Sequence, residues 1–132
     1  MPHVVGTVLS VVVAVFARYV GLDRDRAFYP TVMIVIALYY VLFAAMTGSI
    51  QMILMESAFM VVFATAAVVG FKSSMWIVAA ALAGHGVFDV IRGEVLKNPG
   101  VPVWWPAFCS TYDIGAAAVL AWLLRRAAAR AR

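Results

Sequence analysis

The feature that most constrains the fold is a series of five apolar segments, each followed by a short polar turn or loop or by the C-terminal arginines. A membrane-spanning helix needs roughly 20 mostly apolar residues. The predicted spans cover approximately residues 4–20, 28–46, 50–71, 75–96 and 107–124. The sequence therefore predicts an all-α fold: a single-domain, polytopic membrane helical bundle of about five transmembrane helices.

The composition agrees with a membrane protein and argues against nucleic-acid binding. Of the 132 residues, 66% are hydrophobic and only 12% are charged, whereas a soluble domain carries about 25% charged residues. The basic residues stand at the ends of apolar runs instead of forming one basic face, so the pI of 9.6 does not indicate a nucleic-acid partner. Cys109 is the only cysteine, which excludes an intramolecular disulfide.

The distribution of basic residues predicts how the chain crosses the bilayer. With five spans, the side that carries the C-terminus holds eight of the ten basic residues, and the other side holds Arg92 and Lys97. The eight are Arg18, Arg24, Arg26, Lys72, Arg125, Arg126, Arg130 and Arg132. Because cytoplasmic loops are enriched in Lys and Arg, we expect the N-terminus outside and the C-terminus in the cytoplasm of a bacterial inner (plasma) membrane. Arginines follow the first apolar run instead of preceding it, which favours a retained helix over a signal peptide.

Three carboxylates on three predicted helices fall at the same depth. At 1.5 Å of rise per residue, Glu56, Asp89 and Asp113 each lie about 9 Å from the outer boundary of a core roughly 30 Å thick. His85 lies one turn deeper, and Tyr40 lies close to the same layer. An Asp at the centre of a spanning helix costs about 2.5–3.5 kcal/mol. We therefore expect these groups to face the bundle interior and to be protonated, paired or metal-bound.

Spacing along single helices refines this candidate site. His85 and Asp89 are four residues apart and share a helix face, which Arg92 extends; Asp89 would therefore orient His85 or pair with Arg92. The predicted ligand-binding residues are Glu56, His85, Asp89, Arg92, Tyr112 and Asp113. For a divalent metal, the candidate ligands are His85, Asp89, Asp113 and Glu56. The alternative is purely structural: an ion pair and hydrogen bonds that fix helix packing.

Two further features have both a functional and a structural interpretation. Met46, Met52 and Met55, with His3 near them, offer soft ligands of the kind that bind Cu(I), although Met also fills irregular apolar gaps. The loop of residues 97–106 is rich in Pro and Trp, and it would either cover the polar layer or anchor the chain at the interface. Small residues in helices four and five, including Ala79, Ala83 and Gly115, predict a close approach of these helices.

Two motifs resemble a known family. Gly84-His85-Gly86-Val87-Phe88-Asp89 and the run from Asn98 to Cys109, Asn-Pro-Gly-Val-Pro-Val-Trp-Trp-Pro-Ala-Phe-Cys, are similar to those of small bacterial multi-pass membrane proteins of uncharacterised function. The resemblance runs from about residue 29 to residue 124. It implies a second histidine about one turn after Asp89, where this chain has Arg92 and Gly93. A looser similarity to membrane-embedded zinc hydrolases of the ceramidase type is weakened because only His85 is embedded here.

These observations support three hypotheses about function. The first is binding or transport of a proton, a cation or a small polar ligand in an outward-facing polar pocket. The second is a metal-assisted membrane-embedded enzyme, in which one carboxylate acts as acid or base. The third is a structural subunit of a larger membrane complex. Besides the lipid bilayer, the expected partners are further copies of the chain or the other subunits of such a complex.

Overall fold

The structure, a computed structural model, describes all residues from Met1 to Arg132 and consists almost entirely of helix. The helices are α1 (Pro2–Val20), α2 (Phe28–Thr47), α3 (Ile50–Lys72), α4 (Met75–Val95) and α5 (Trp105–Arg130), with a short 3-10 turn at Leu22–Arg24 between α1 and α2. All five helices are long and apolar enough to cross a membrane. The predicted all-α bundle of five membrane-length helices is thereby confirmed, and the fold is compatible with an integral membrane protein.

Local sequence signals explain where the helices end. Gly21 and Gly48 follow α1 and α2 with φ of 92° and 71°, the left-handed conformation that glycine adopts without a steric penalty. Ser49 caps α3, because its hydroxyl accepts a hydrogen bond from the Met52 amide at 3.2 Å. Pro106 occupies the first turn of α5, where its missing N–H leaves no helical hydrogen bond unmade.

The fifth helix extends beyond its predicted span at both ends. It begins at Trp105 and continues to Arg130, whereas the predicted span covers residues 107–124. The extension after Leu124 consists of alanine and arginine, which are among the best helix formers. The hydrogen-bonded helix is therefore longer than the apolar span that it contains.

The bundle is organised around α4. This helix packs against α3 on one side and α5 on the other, and it also contacts α2; α1 packs along α5, and α2 along α3. Half of the apolar window of α4 is buried, compared with 17% of that of α1. Val78 and Leu82 of α4 lie in the centre of the core with Met33 of α2 and Ala67 of α3. Polar side chains on the buried face of α4 are consequently held at the centre of the bundle.

One arginine ties the first loop to the end of α3. Arg26 donates hydrogen bonds from Nε to the carbonyl oxygen of Phe71 at 2.8 Å and from Nη2 to that of Ser73 at 3.0 Å. The last carbonyl groups of a helix have no partner within the helix. Arg26 therefore fixes the α1–α2 connection against the α3–α4 turn.

Candidate functional site

Five ionisable side chains from α3, α4 and α5 are fully enclosed within the bundle. The exposed fractions are 1% for Glu56, 1% for His85, 0% for Asp89, 2% for Arg92 and 0% for Asp113. Charged residues are almost never this deeply buried unless they are paired. The shared layer that helical depth predicts corresponds here to two adjacent groups of side chains.

The first group is a histidine between two aspartates. The Nδ1 atom of His85 lies 2.6 Å from Oδ2 of Asp113 and 3.6 Å from Oδ2 of Asp89. The α4 spacing of four residues places Asp89 beside His85, and the packing of α5 on α4 adds Asp113. Both carboxylates therefore direct an oxygen at the same ring nitrogen.

Two more side chains complete this first group. The Tyr40 hydroxyl donates a 2.5 Å hydrogen bond to Oδ1 of Asp89, while Oδ2 of Asp89 has no hydrogen-bond partner. The Cys109 sulfur lies 3.8 Å from Oδ2 of Asp113. One ligand atom from each of His85, Asp89, Cys109 and Asp113 lies within 4.8 Å of the other three. We call these four residues the histidine–aspartate cluster.

The second group is an ion pair between α3 and α4. Arg92 donates from Nη2 to Oε1 of Glu56, and the same oxygen accepts a 3.0 Å hydrogen bond from the Asn98 side chain. The guanidinium carbon of Arg92 lies 3.9 Å from the centre of the Tyr40 ring, within the range of a cation–π interaction. Tyr40 thus touches both groups, through its hydroxyl on one side and its ring on the other.

The loop between α4 and α5 is packed onto these polar groups. Asn98 is 8% exposed; besides Glu56, its amide nitrogen reaches the Tyr40 carbonyl oxygen at 3.4 Å, and its side-chain oxygen accepts from the Gly100 amide at 3.0 Å. Gly100 lies so close to the Phe43 carbonyl that a β-carbon would collide with it. The loop therefore closes the bundle at this end.

Asn98 and Cys109 belong to the site, although neither is among the predicted ligand-binding residues. Cys109 lies four residues before Asp113, a spacing that puts both on one face of α5. For Asn98 the local signal is the run Asn98-Pro99-Gly100, in which Asn commonly bonds to the backbone two residues later. Such a turn places the side chain locally. It does not reveal that the amide also reaches Glu56, 42 residues away.

The structure separates some of the predicted ligands. His85, Asp89 and Asp113 come together, joined by Cys109, whereas Glu56 is paired with Arg92. Tyr112 lies instead on a groove of about 680 Å³ bordered by α1, α2 and α5, which Cys109 also lines. Among the residues suggested for Cu(I), His3, Met46 and Met55 are exposed and Met52 is partly buried, all outside the two groups.

The formal charges of the two groups do not balance. Glu56 and Arg92 neutralise one another. A protonated His85 carries one positive charge against the two negative charges of Asp89 and Asp113, and a neutral His85 carries none. A net charge in a fully buried site costs several kcal/mol. The histidine–aspartate cluster therefore needs at least one further positive charge.

No family model matches this chain, and no curated protein or solved structure matches it either. The resemblance carried by the Gly-His-Gly and Asn-Pro-Gly motifs therefore stays a prediction.

Proposed function

We propose that this protein is an integral membrane protein that binds one cation at the histidine–aspartate cluster inside the bilayer, in a binding or transport role. The observation that carries the proposal is the charge imbalance of a fully buried site. His85, Asp89 and Asp113 are each at most 1% exposed, and water cannot screen the second carboxylate. A bound proton or metal ion supplies the missing charge.

The space around the cluster favours an ion over a molecule. The cavity that borders His85 is lined by aromatic and aliphatic side chains with Tyr40 and Glu56, and it has no room for a water-sized molecule. A small polar ligand would have to displace packed side chains, whereas a proton needs no extra space and a bare ion needs only a small shift of its ligands. On the side of the cluster where His85 meets this cavity, the packing favours a cation over a small polar ligand.

Infrared difference spectroscopy on metal-free protein tests the charge argument. At neutral pH we expect one protonated carboxyl group in a dry environment, seen as a carboxylic-acid carbonyl band. Either Asp89→Asn or Asp113→Asn should remove the band, because the remaining carboxylate is balanced by protonated His85. Asp25→Asn, at an exposed position in the first loop, should leave it unchanged.

Two results would overturn the proposal. One is metal-free wild-type protein without a protonated carboxyl group and without any bound cation in elemental analysis. The other is a band that survives in both Asp variants. Circular dichroism of each variant checks that the helical content is retained.

A further inference from the structure

We infer that the histidine–aspartate cluster is a binding site for a divalent transition-metal ion, with His85, Asp89 and Asp113 as its ligands. This inference rests on the proposed function and specifies the cation. The strongest observation is that Oδ2 of Asp113 and Oδ2 of Asp89 both point at Nδ1 of His85, at 2.6 and 3.6 Å. A single N–H group at Nδ1 cannot donate a short hydrogen bond to both oxygens.

The second observation is that one carboxylate oxygen of Asp89 has no hydrogen-bond partner. Oδ2 of Asp89 is buried, makes no hydrogen bond and belongs to a residue that is 0% exposed. Leaving a buried acceptor unsatisfied costs about 1–3 kcal/mol, and more when the group is charged. A metal ion held between the three ligand atoms would bond to this oxygen, to Asp113 and to His85 at the same time.

The spacing of the ligand atoms suits such an ion. Zinc binds nitrogen and oxygen at about 2.0–2.2 Å, so tetrahedral ligand atoms are roughly 3.3–3.6 Å apart. The distance of 3.6 Å between Nδ1 of His85 and Oδ2 of Asp89 already lies in this range. The separation of 2.6 Å between His85 and Asp113 must open by about 1 Å, which a side-chain rotation of Asp113 can provide.

The chemistry of the ligands selects the class of ion. Imidazole suits zinc, copper, iron and nickel, whereas magnesium and calcium prefer oxygen ligands alone. Tyr40 holds the other oxygen of Asp89 at 2.5 Å and so acts as the outer partner that orients a ligating carboxylate. Cys109, with its sulfur 3.8 Å from Asp113, flanks the site as a thiol.

Calorimetric titration with Zn²⁺ tests the inference. The protein, purified in detergent and stripped with a chelator, is titrated with Zn²⁺. We expect one Zn²⁺ per chain. His85→Ala and Asp113→Asn should each lower the affinity at least tenfold, and Tyr40→Phe, which keeps every ligand, should lower it about 10–100-fold.

The control variant is His3→Ala. His3 is exposed near the N-terminus, so it is the position at which adventitious Zn²⁺ would bind, and its removal should not change the titration. The inference is overturned if wild-type protein binds no Zn²⁺, if His3→Ala abolishes binding, or if Tyr40→Phe and Asp113→Asn bind as wild type does. If the protein binds no Zn²⁺ but shows the protonated carboxyl band, the metal-site inference fails and the proposed function stands with a proton as the bound cation. Absence of both would remove the proposed function as well.

Discussion

At the residue scale, Tyr40 is the side chain on which both polar groups depend. Its hydroxyl donates to Asp89, and its ring contacts the Arg92 guanidinium. Tyr40→Phe keeps the ring and leaves Asp89 without its 2.5 Å donor, so we expect a loss of about 1–3 kcal/mol. The measurement is thermal unfolding in detergent. Tyr39→Phe is the matched control, since the Tyr39 hydroxyl makes no intramolecular hydrogen bond; an equal loss in both variants would contradict the assigned role of Tyr40.

The buried ion pair between Glu56 and Arg92 leads to a second prediction at this scale. Removing one partner of a buried pair costs about 3–5 kcal/mol, because the other charge stays buried and uncompensated. Glu56→Gln and Arg92→Met should therefore each destabilise the protein strongly, and the double variant should be more stable than either single one. A double-mutant cycle from unfolding midpoints measures this. Additive losses would show that the two charges are not coupled.

The site could be predicted in part, because helix geometry relates sequence distance to depth. Rise per residue placed Glu56, Asp89 and Asp113 in one layer, and the four-residue spacing put His85 beside Asp89. Depth does not give rotation about the helix axis, however. It could not show that Glu56 turns towards Arg92 while Asp113 turns towards His85, nor that Asn98 folds back from the loop.

At the scale of helices, close approach depends on particular glycines. Gly6 of α1 lies against α5, where an added β-carbon would collide with the Phe108 carbonyl oxygen and the Thr111 hydroxyl. Gly6→Ala should therefore destabilise the α1–α5 contact by about 1–3 kcal/mol. Gly84→Ala is the control, since nothing lies within 4 Å of its added β-carbon, and it should stabilise α4 by about 0.5–1 kcal/mol. If Gly6→Ala and Gly84→Ala shift the unfolding midpoint in the same direction, the packing assigned to Gly6 is contradicted.

The sequence predicted which segments are helical better than which helices are neighbours. Apolar length and turn residues such as Gly21 and Gly48 are local signals, so the helix bounds follow from them. The small residues of helices four and five predict a close α4–α5 contact, and these two helices do pack together. The glycine of α4 that faces α5 is Gly86, next to Ile114 and Ser110, whereas Gly115 of α5 lies against Ser10 of α1. The face of each helix that becomes buried depends on the packing of all five helices, which the local sequence does not specify.

At the scale of the whole molecule, the charge distribution and the fold together lead to a prediction about orientation. The helices alternate in direction, so the α4–α5 loop and the α3–α4 turn lie at opposite ends of the bundle. Eight of the ten basic residues belong to the end that contains the α3–α4 turn and the C-terminus. Because Lys and Arg are retained on the cytoplasmic side, we predict that the loop that carries Asn98 faces the opposite side of the membrane. The cluster would then exchange its cation with the outer side of the membrane.

Cysteine labelling of intact cells tests this orientation. Val103→Cys places a thiol in the α4–α5 loop at a position that is 99% exposed, and Ser74→Cys places one in the exposed α3–α4 turn. A membrane-impermeant maleimide should label Val103→Cys in intact cells and Ser74→Cys only after lysis. The native Cys109, which is 3% exposed, should stay unlabelled in both. The reverse pattern would place the cluster near the cytoplasmic face, and the cation would then enter from the cytoplasm.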